Sequence, residues 1–321
     1  MKILLAGASG FMGERVLKDL LSASHEVTAL VHSDRSVSEL ARSNPRVKAV
    51  TGDVTRSSDM LRAMPNGIEA IIYLPGLLRE SPREGITFRA VHVEGVRNVL
   101  AAAKAVGMDD RSSTRRWIQM SALGAGPNAS TEYYRTKWEA EELVKASSFD
   151  WTILRPSLIY DDRPRRQHNF VDEIVKAIRM APFVPILGNV DDRSSTGEFL
   201  LQPVSVDDVS QTIVQSLAKP ETAGNIYEIG GPEKLTYRQV VITIARAMGT
   251  KKPAIKIPLG AIMSTARLLD RFSWFPITRD EIRMLRDGNY IRDPGEDRKW
   301  RETFELPMKR FTEGIQLAVH R

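Results

Sequence analysis

Apolar residues along this chain fall in short runs that alternate with longer amphipathic stretches. Ile3, Leu4, Leu5 and Ala6 form a continuous apolar run, the pattern of a strand buried on both faces. Glu14–Ala23 follows, with Val16, Leu17, Leu20 and Leu21 on one helical stripe. The rhythm predicts further strands at Glu26–Val31, Val47–Val50, Ile68–Leu74, Arg116–Met120 and Trp151–Leu154. Helices are predicted at Ser57–Ala63, Phe88–Val106 and Glu132–Lys145. Strand and helix in alternation imply an α/β fold: a doubly wound parallel sheet with right-handed crossovers.

After Tyr160 the rhythm breaks. Residues 161–169 are charged, with Arg163, Arg165 and Arg166 either on solvated surface or clamping an anionic group. Phe170–Met180 is predicted helical, and the polar, glycine-bounded stretch 188–197 is expected to be a loop or lid. Gln202–Val206 and Ile226–Ile229 are expected to return to the sheet, with a helix at Val209–Leu217 between them. Tyr237–Met248 is a further helix, and from Lys251 onward a smaller, mostly helical lobe is expected. Trp274 and Phe275 either close the core of that lobe or touch a membrane or partner.

The junction between the first strand and the first helix carries Gly7, Gly10 and Gly13, spaced G-x-x-G-x-x-G. Strand, glycine turn and helix in that order form the context of a dinucleotide site. Gly7 suits a tight turn, Gly10 lets the backbone approach a pyrophosphate, and Gly13 lets helix and strand pack closely. The helix N-terminus offers unpaired N–H groups to phosphate. Ser9, Phe11 and Met12 complete this set of cofactor-binding candidates.

The tip of the second strand reads His32-Ser33-Asp34-Arg35. No carboxylate sits at the strand end itself, and His32 with Arg35 suits a 2′-phosphate, which favours NADP; Asp34 keeps NAD open. Asp53, beside Val54, either accepts a hydrogen bond from an adenine amino group or forms an Asx-type turn or a helix N-cap. Leu74, Pro75 and Gly76 end the fourth strand, where the cofactor ribose is expected.

Composition narrows the chemistry. The chain has 321 residues and no cysteine, which removes disulfides, thiol catalysis and cysteine–metal sites. Its five histidines show no ligand spacing, so no metal site is expected. Met1 leads straight into the first strand, and no apolar run reaches the ~20 residues that span a bilayer, so a cytoplasmic protein is expected. The net charge of +6 is mild for this length and reads as basic surface rather than nucleic-acid binding.

Ser121 ends the fifth strand; Tyr133 and Lys137 follow within Y-Y-R-T-K-W-E-A-E. Tyr133 and Lys137 stand at i and i+4, on one face of a helix. A tyrosine of reference pKa ~10 moves a proton more readily beside an ammonium, and a serine hydroxyl can orient a carbonyl.

These motifs resemble the short-chain dehydrogenase/reductase superfamily. The likeness extends through Leu154–Tyr160 (L-R-P-S-L-I-Y), Gln202–Val209 and Tyr227–Pro232, and so covers about residues 1–245. Ser121–Ala125 and Glu132–Lys137 resemble most the atypical branch containing the dinucleotide-binding accessory subunit of mitochondrial complex I and its bacterial relatives. The resemblance implies a Rossmann-type NAD(P)-binding domain over 1–160, with segments of about 200–230 rejoining its sheet, and a substrate lobe over 161–321. It implies Tyr133 as proton donor or acceptor, Lys137 as its electrostatic partner and a cofactor contact, and Ser121 orienting the substrate. Pro156 and Ser157 are then placed near the nicotinamide, while Arg155 reads as a buried arginine paired with a carboxylate.

The expected activity is hydride transfer between NADP(H) and a small carbonyl, alcohol, quinone or sugar-like substrate. Two other readings stay open. One is an NADPH-holding scaffold or redox sensor with a protein partner, and the other is a nucleotide-sugar epimerase or dehydratase. A homo-oligomer is also compatible with the resemblance.

Overall fold

β1 (Lys2–Ala6) is buried from Ile3 onward, and α1 (Phe11–Ser22) lays Val16, Leu17, Leu20 and Leu21 against it. Full burial of such aliphatic side chains stabilises the fold by roughly 1.5–3 kcal/mol each. The alternation continues through β2 (Glu26–Val31), α2 (Glu39–Ser43), β3 (Val47–Thr51), α3 (Ser57–Ala63) and β4 (Ala70–Tyr73). It runs on through α4 (Gly95–Ala105), β5 (Arg116–Met120), α5 (Glu132–Lys145) and β6 (Asp150–Pro156). The remaining elements are β7 (Ile159–Tyr160), α6 (Phe170–Met180), β8 (Val184–Gly188), β9 (Leu200–Leu201), β10 (Val204–Ser205) and α7 (Val206–Ala218). Then come β11 (Asn225–Ile229), β12 (Leu235–Thr236), α8 (Tyr237–Ala247), β13 (Ala254–Pro258), α9 (Arg279–Asp287), α10 (Pro294–Phe304) and α11 (Phe311–Val319). These come from a computed structural model that describes residues 1–33, 39–77, 79–108, 115–161, 170–188, 199–258 and 279–319.

The central sheet has seven strands in the order β11-β6-β5-β4-β1-β2-β3. β1 pairs in parallel with both β2 and β4, so the strand order reverses there. Ligands of open α/β sheets bind at the carboxyl ends of strands flanking such a reversal. β1 and β4 deliver the glycine turn and Leu74–Gly76 to that edge. Beneath it Leu4, Ile71, Tyr73, Val96, Val99, Trp117 and Val144 share one apolar cluster.

The chain divides into two compact units. The first comprises 1–156, 209–228 and 299–306 and holds the central sheet. Late segments are pinned within it by buried hydrogen bonds. Ser210 Oγ donates to Asp19 on α1 at 2.7 Å, and Trp300 Nε1 donates to Thr212 Oγ1 at 3.1 Å. The second unit comprises 157–208, 229–298 and 307–321. Its core gathers Tyr160, Ile178, Val184, Leu201, Val240, Ile244, Phe311 and Ile315.

The expected return of Gln202–Val206 to the central sheet is corrected. Val204 and Ser205 pair with Ile159 and Tyr160 instead, and Val206 already begins α7. Asp207 and Asp208 in the first turn favour that early helix start. The later piece that does join the central sheet is β11.

Candidate functional site

Three glycines shape the turn after β1. Gly7 sits at φ +81°, in the left-handed region that favours glycine, and its carbonyl accepts the Gly10 N–H at 3.0 Å. A Cβ on Gly13 would lie 2.1 Å from the Gly7 carbonyl oxygen and 2.6 Å from the Ala8 carbonyl carbon. No side chain fits there, so α1 rests directly on the turn. Gly10 precedes α1, and no side chain caps the helix N-terminus. The first-turn N–H groups have no partner within the helix, which is the arrangement that holds phosphate.

The neighbouring wall is the end of β4. A Cβ on Gly7 would stand 3.3 Å from Pro75 N, a tight contact that shows how closely the two turns approach. Lys137, on α5, is 2% exposed and donates from Nζ to the carbonyls of Pro75 and Met120, both at 3.2 Å. A Cβ on Gly76 would lie 3.1 Å from that ammonium. Burial pulls the Lys137 pKa down to about 8, against the opposing charge of Glu141.

Thr131 caps α5 by accepting the Tyr134 N–H, which fixes the start of the helix and places Tyr133 in its first turn. The Tyr133 ring meets Phe88, His92 and Tyr134 edge-on, with centroids at 5.6, 5.4 and 5.3 Å. Its hydroxyl makes no hydrogen bond among the described residues. Burial raises its pKa, with a smaller contribution from Tyr134, so the phenol is protonated at neutral pH. No hydrogen bond joins this hydroxyl to the Lys137 ammonium.

Residues 7–178 match the model of a family described as NAD(P)H-binding. The chain belongs to that NAD(P)H-binding family. Among its relatives is the mitochondrial NADH-ubiquinone oxidoreductase 40 kDa subunit of Neurospora crassa, 25% identical over 74% of this chain. The alignment spans 60% of that subunit's length. A ceramide reductase of Caulobacter vibrioides is 25% identical over 84% of this chain and 78% of its own. The Thermus thermophilus UDP-glucose 4-epimerase, solved with NAD, superposes with a TM-score of 0.69. It is 19% identical, with 100% of this chain and 98% of that one covered, and shares the Rossmann-type fold.

The cradle fits the family's cofactor: a glycine turn leads into an α1 N-terminus with no side-chain cap, the arrangement that accepts phosphate. The other sequence-derived candidates fall in varied places. Ser9 and Phe11 are partly exposed, Met12 is 9% exposed, and His32 is exposed. Val54 is buried and its carbonyl accepts the Asn98 side-chain amide at 3.0 Å. Asp53 Oδ1 accepts from Thr55 N and Oγ1 at 2.9 and 2.8 Å, so the Asx turn is formed. Leu74 is buried and Gly76 exposed. Pro156 is buried, its carbonyl accepting Leu123 N–H at 2.9 Å. Ser157 Oγ donates to the Gln202 carbonyl at 2.5 Å. Arg35 and Asp34 lie outside the described residues, as do 162–169, 189–197, Trp274 and Phe275.

Ser121 occupies a different chemical position from its two companions. Its hydroxyl donates to Glu141 Oε1 at 2.5 Å, and the same carboxylate takes Arg155 Nε at 2.8 Å and a terminal guanidinium nitrogen at 2.6 Å. Glu141 is fully buried. Arg155 is thus paired with a carboxylate as the sequence suggests, although the arginine itself is only part-buried.

Sequence reasoning missed Glu141 and His92. His92 is 1% exposed, with Nδ1 2.9 Å from Thr136 Oγ1 and the Leu77 N–H 3.4 Å from Nε2. That pattern assigns the ring proton to Nδ1. Burial holds its pKa far down, and the Lys137 ammonium adds to this, so the ring is neutral. Its signal lies in the sequence: His92 shares the apolar stripe of Phe88, Val96 and Val99, where an imidazole needs a partner.

Proposed function

We propose that the protein is an oxidoreductase that prefers NADPH and reduces the carbonyl of a small ketone, aldehyde, quinone or sugar-like substrate. The observation that carries this reading is the protonated, unpartnered Tyr133 hydroxyl one helical turn from Lys137, on the sheet edge that carries the glycine cradle. Gly7, Gly10 and Gly13 with the α1 N-terminus hold the pyrophosphate. His32 and Arg35 take the 2′-phosphate, Asp53 and Val54 border the adenine, and Leu74–Gly76 with Lys137 border the ribose. The bound cofactor supplies a hydride.

Tyr133 gives its hydroxyl proton to the carbonyl oxygen, and burial keeps that proton in place until the oxygen needs it. Lys137 keeps one ammonium N–H beyond the two given to Pro75 and Met120. Its positive charge steadies the phenolate left by proton transfer. Phe88 and His92 fix the plane of the Tyr133 ring. Ser121, committed to Glu141, reaches a substrate only by releasing that bond.

The test is NADPH oxidation with a panel of carbonyls and quinones. Tyr133→Phe is expected to lower turnover about 10²- to 10⁴-fold, as loss of a general acid does, with NADPH affinity kept within twofold. An unchanged rate would sink the assignment. A second reading, an NADPH-holding scaffold, is favoured by the likeness to the Neurospora subunit and by the engaged Ser121 hydroxyl. Thermal stabilisation by NADPH with no turnover on any carbonyl would select it.

A further inference from the structure

Within the second unit, the two stretches 174–188 and 237–258 hold seven Lys and Arg residues and no Asp or Glu. That exceeds the net charge of the whole chain, +6. The structure draws these stretches together. Lys252 Nζ donates to the carbonyls of Ile178 and Ala181, both at 2.7 Å, and β13 pairs in parallel with β8. The end of α6 therefore lies against the approach to β13. Lys176, Arg179, Lys251 and Lys256 are exposed on these segments. Among them stand two exposed large apolar side chains: Met180, 78% exposed, and Ile255, 45% exposed. A pocket lined by Ile178, Arg179, Met248, Thr250 and Lys252 opens beside them.

We infer that this face seats the protein on an anionic lipid bilayer. Asp172 and Glu173 sit at the far, N-terminal end of α6, and phospholipid headgroups match the basic residues of the two stretches, while the interface beneath them accepts Met180 and Ile255. A nucleic acid matches the charge but leaves the two apolar side chains in water. Among the described residues no helix is long and apolar enough to cross a membrane, so the contact is peripheral. This inference is independent of the catalytic reading.

The test is co-sedimentation of the full chain with vesicles of phosphatidylcholine alone and with phosphatidylserine added. Binding is expected only with phosphatidylserine and weakens as salt rises. Each basic residue at such a surface contributes roughly fivefold to affinity, so Lys176→Gln with Lys251→Gln is expected to weaken binding about 25-fold. Met180→Gln weakens it further, while the exposed pair Lys18→Gln with Lys48→Gln, in the first unit, leaves it unchanged. All five positions are exposed, and unchanged melting of the variants shows that they fold. Four outcomes would overturn the inference: no vesicle binding, equal binding to neutral vesicles, equal loss in both double variants, or tighter binding to duplex DNA. Sedimentation velocity showing a dimer that Met180→Gln dissociates, with no lipid binding, would assign the face to a second copy instead.

Discussion

Gly13 sets how closely α1 can approach the turn after β1. Gly13→Ala forces a Cβ to within 2.1 Å of the Gly7 carbonyl oxygen, so backbone must move. The expected result is about 1–3 kcal/mol of lost stability and loss of nicotinamide-cofactor binding, read by thermal melting and fluorescence titration. Lys137 gives the site a pH dependence. With a folded pKa of about 8, it loses its proton as pH rises past that value, and cofactor affinity is expected to fall across the same window. The stability effect has the opposite sign. Between about 8 and the ordinary lysine value of 10.5 the unfolded chain holds the proton and the folded chain does not, so this group makes stability rise with pH. Titration calorimetry and melting across pH 7–10 check the two trends separately. Glu141→Gln removes the charge facing Arg155 and is expected to cost about 3–5 kcal/mol, seen as a large drop in melting temperature. The glycine spacing and the Tyr133–Lys137 pair were legible because each lies within one local element. Glu141 and His92 were not, because what gives them meaning lies far along the chain: Arg155 is 14 positions from Glu141 and Thr136 is 44 from His92.

At the scale of elements, the approach to α4 shows what periodicity conceals. Phe88–Val106 reads as one continuous helix, yet Ala90–Glu94 forms a π turn in which Gly95 N–H bonds Ala90 O. One extra residue per turn leaves the apolar stripe nearly unbroken, so the pattern carries no trace of it. The turn frees the Val91 carbonyl, which accepts from the buried Tyr73 hydroxyl at 2.6 Å. A Cβ on Gly95 would stand 2.2 Å from that hydroxyl, which explains the glycine. Tyr73→Phe leaves a buried carbonyl unpaired, and a loss of about 1–3 kcal/mol is expected in denaturant unfolding. No change there would show that the π turn does not depend on Tyr73. Elsewhere β5, α5 and α6 end where strand and helix patterns end. The two-residue strands β7, β9, β10 and β12 carry too few positions for a period, so the pattern alone places Val204–Ser205 in the central sheet, whereas they pair with β7.

The whole molecule is assembled from pieces that are distant in sequence. The seven-stranded sheet takes its edge strand from residues 225–229, and the first unit also takes 299–306. The first five parallel pairings follow from the opening alternation and were readable for that reason. The later returns of the chain to the first unit are fixed by tertiary hydrogen bonds within it such as Ser210–Asp19, which leave no local pattern. Charge shows the same limit of scale: a net +6 hides a concentration of seven basic residues that only the packing of α6, α8, β8 and β13 brings together. The most direct measurement is a fluorescence titration of the full chain with NADPH and NADH. Tight NADPH binding with much weaker NADH binding is expected from a formed glycine cradle and a second strand that ends without a carboxylate. Binding of neither nucleotide would contradict the cofactor site itself, and tighter NADH binding would move the ribose contact to Asp34.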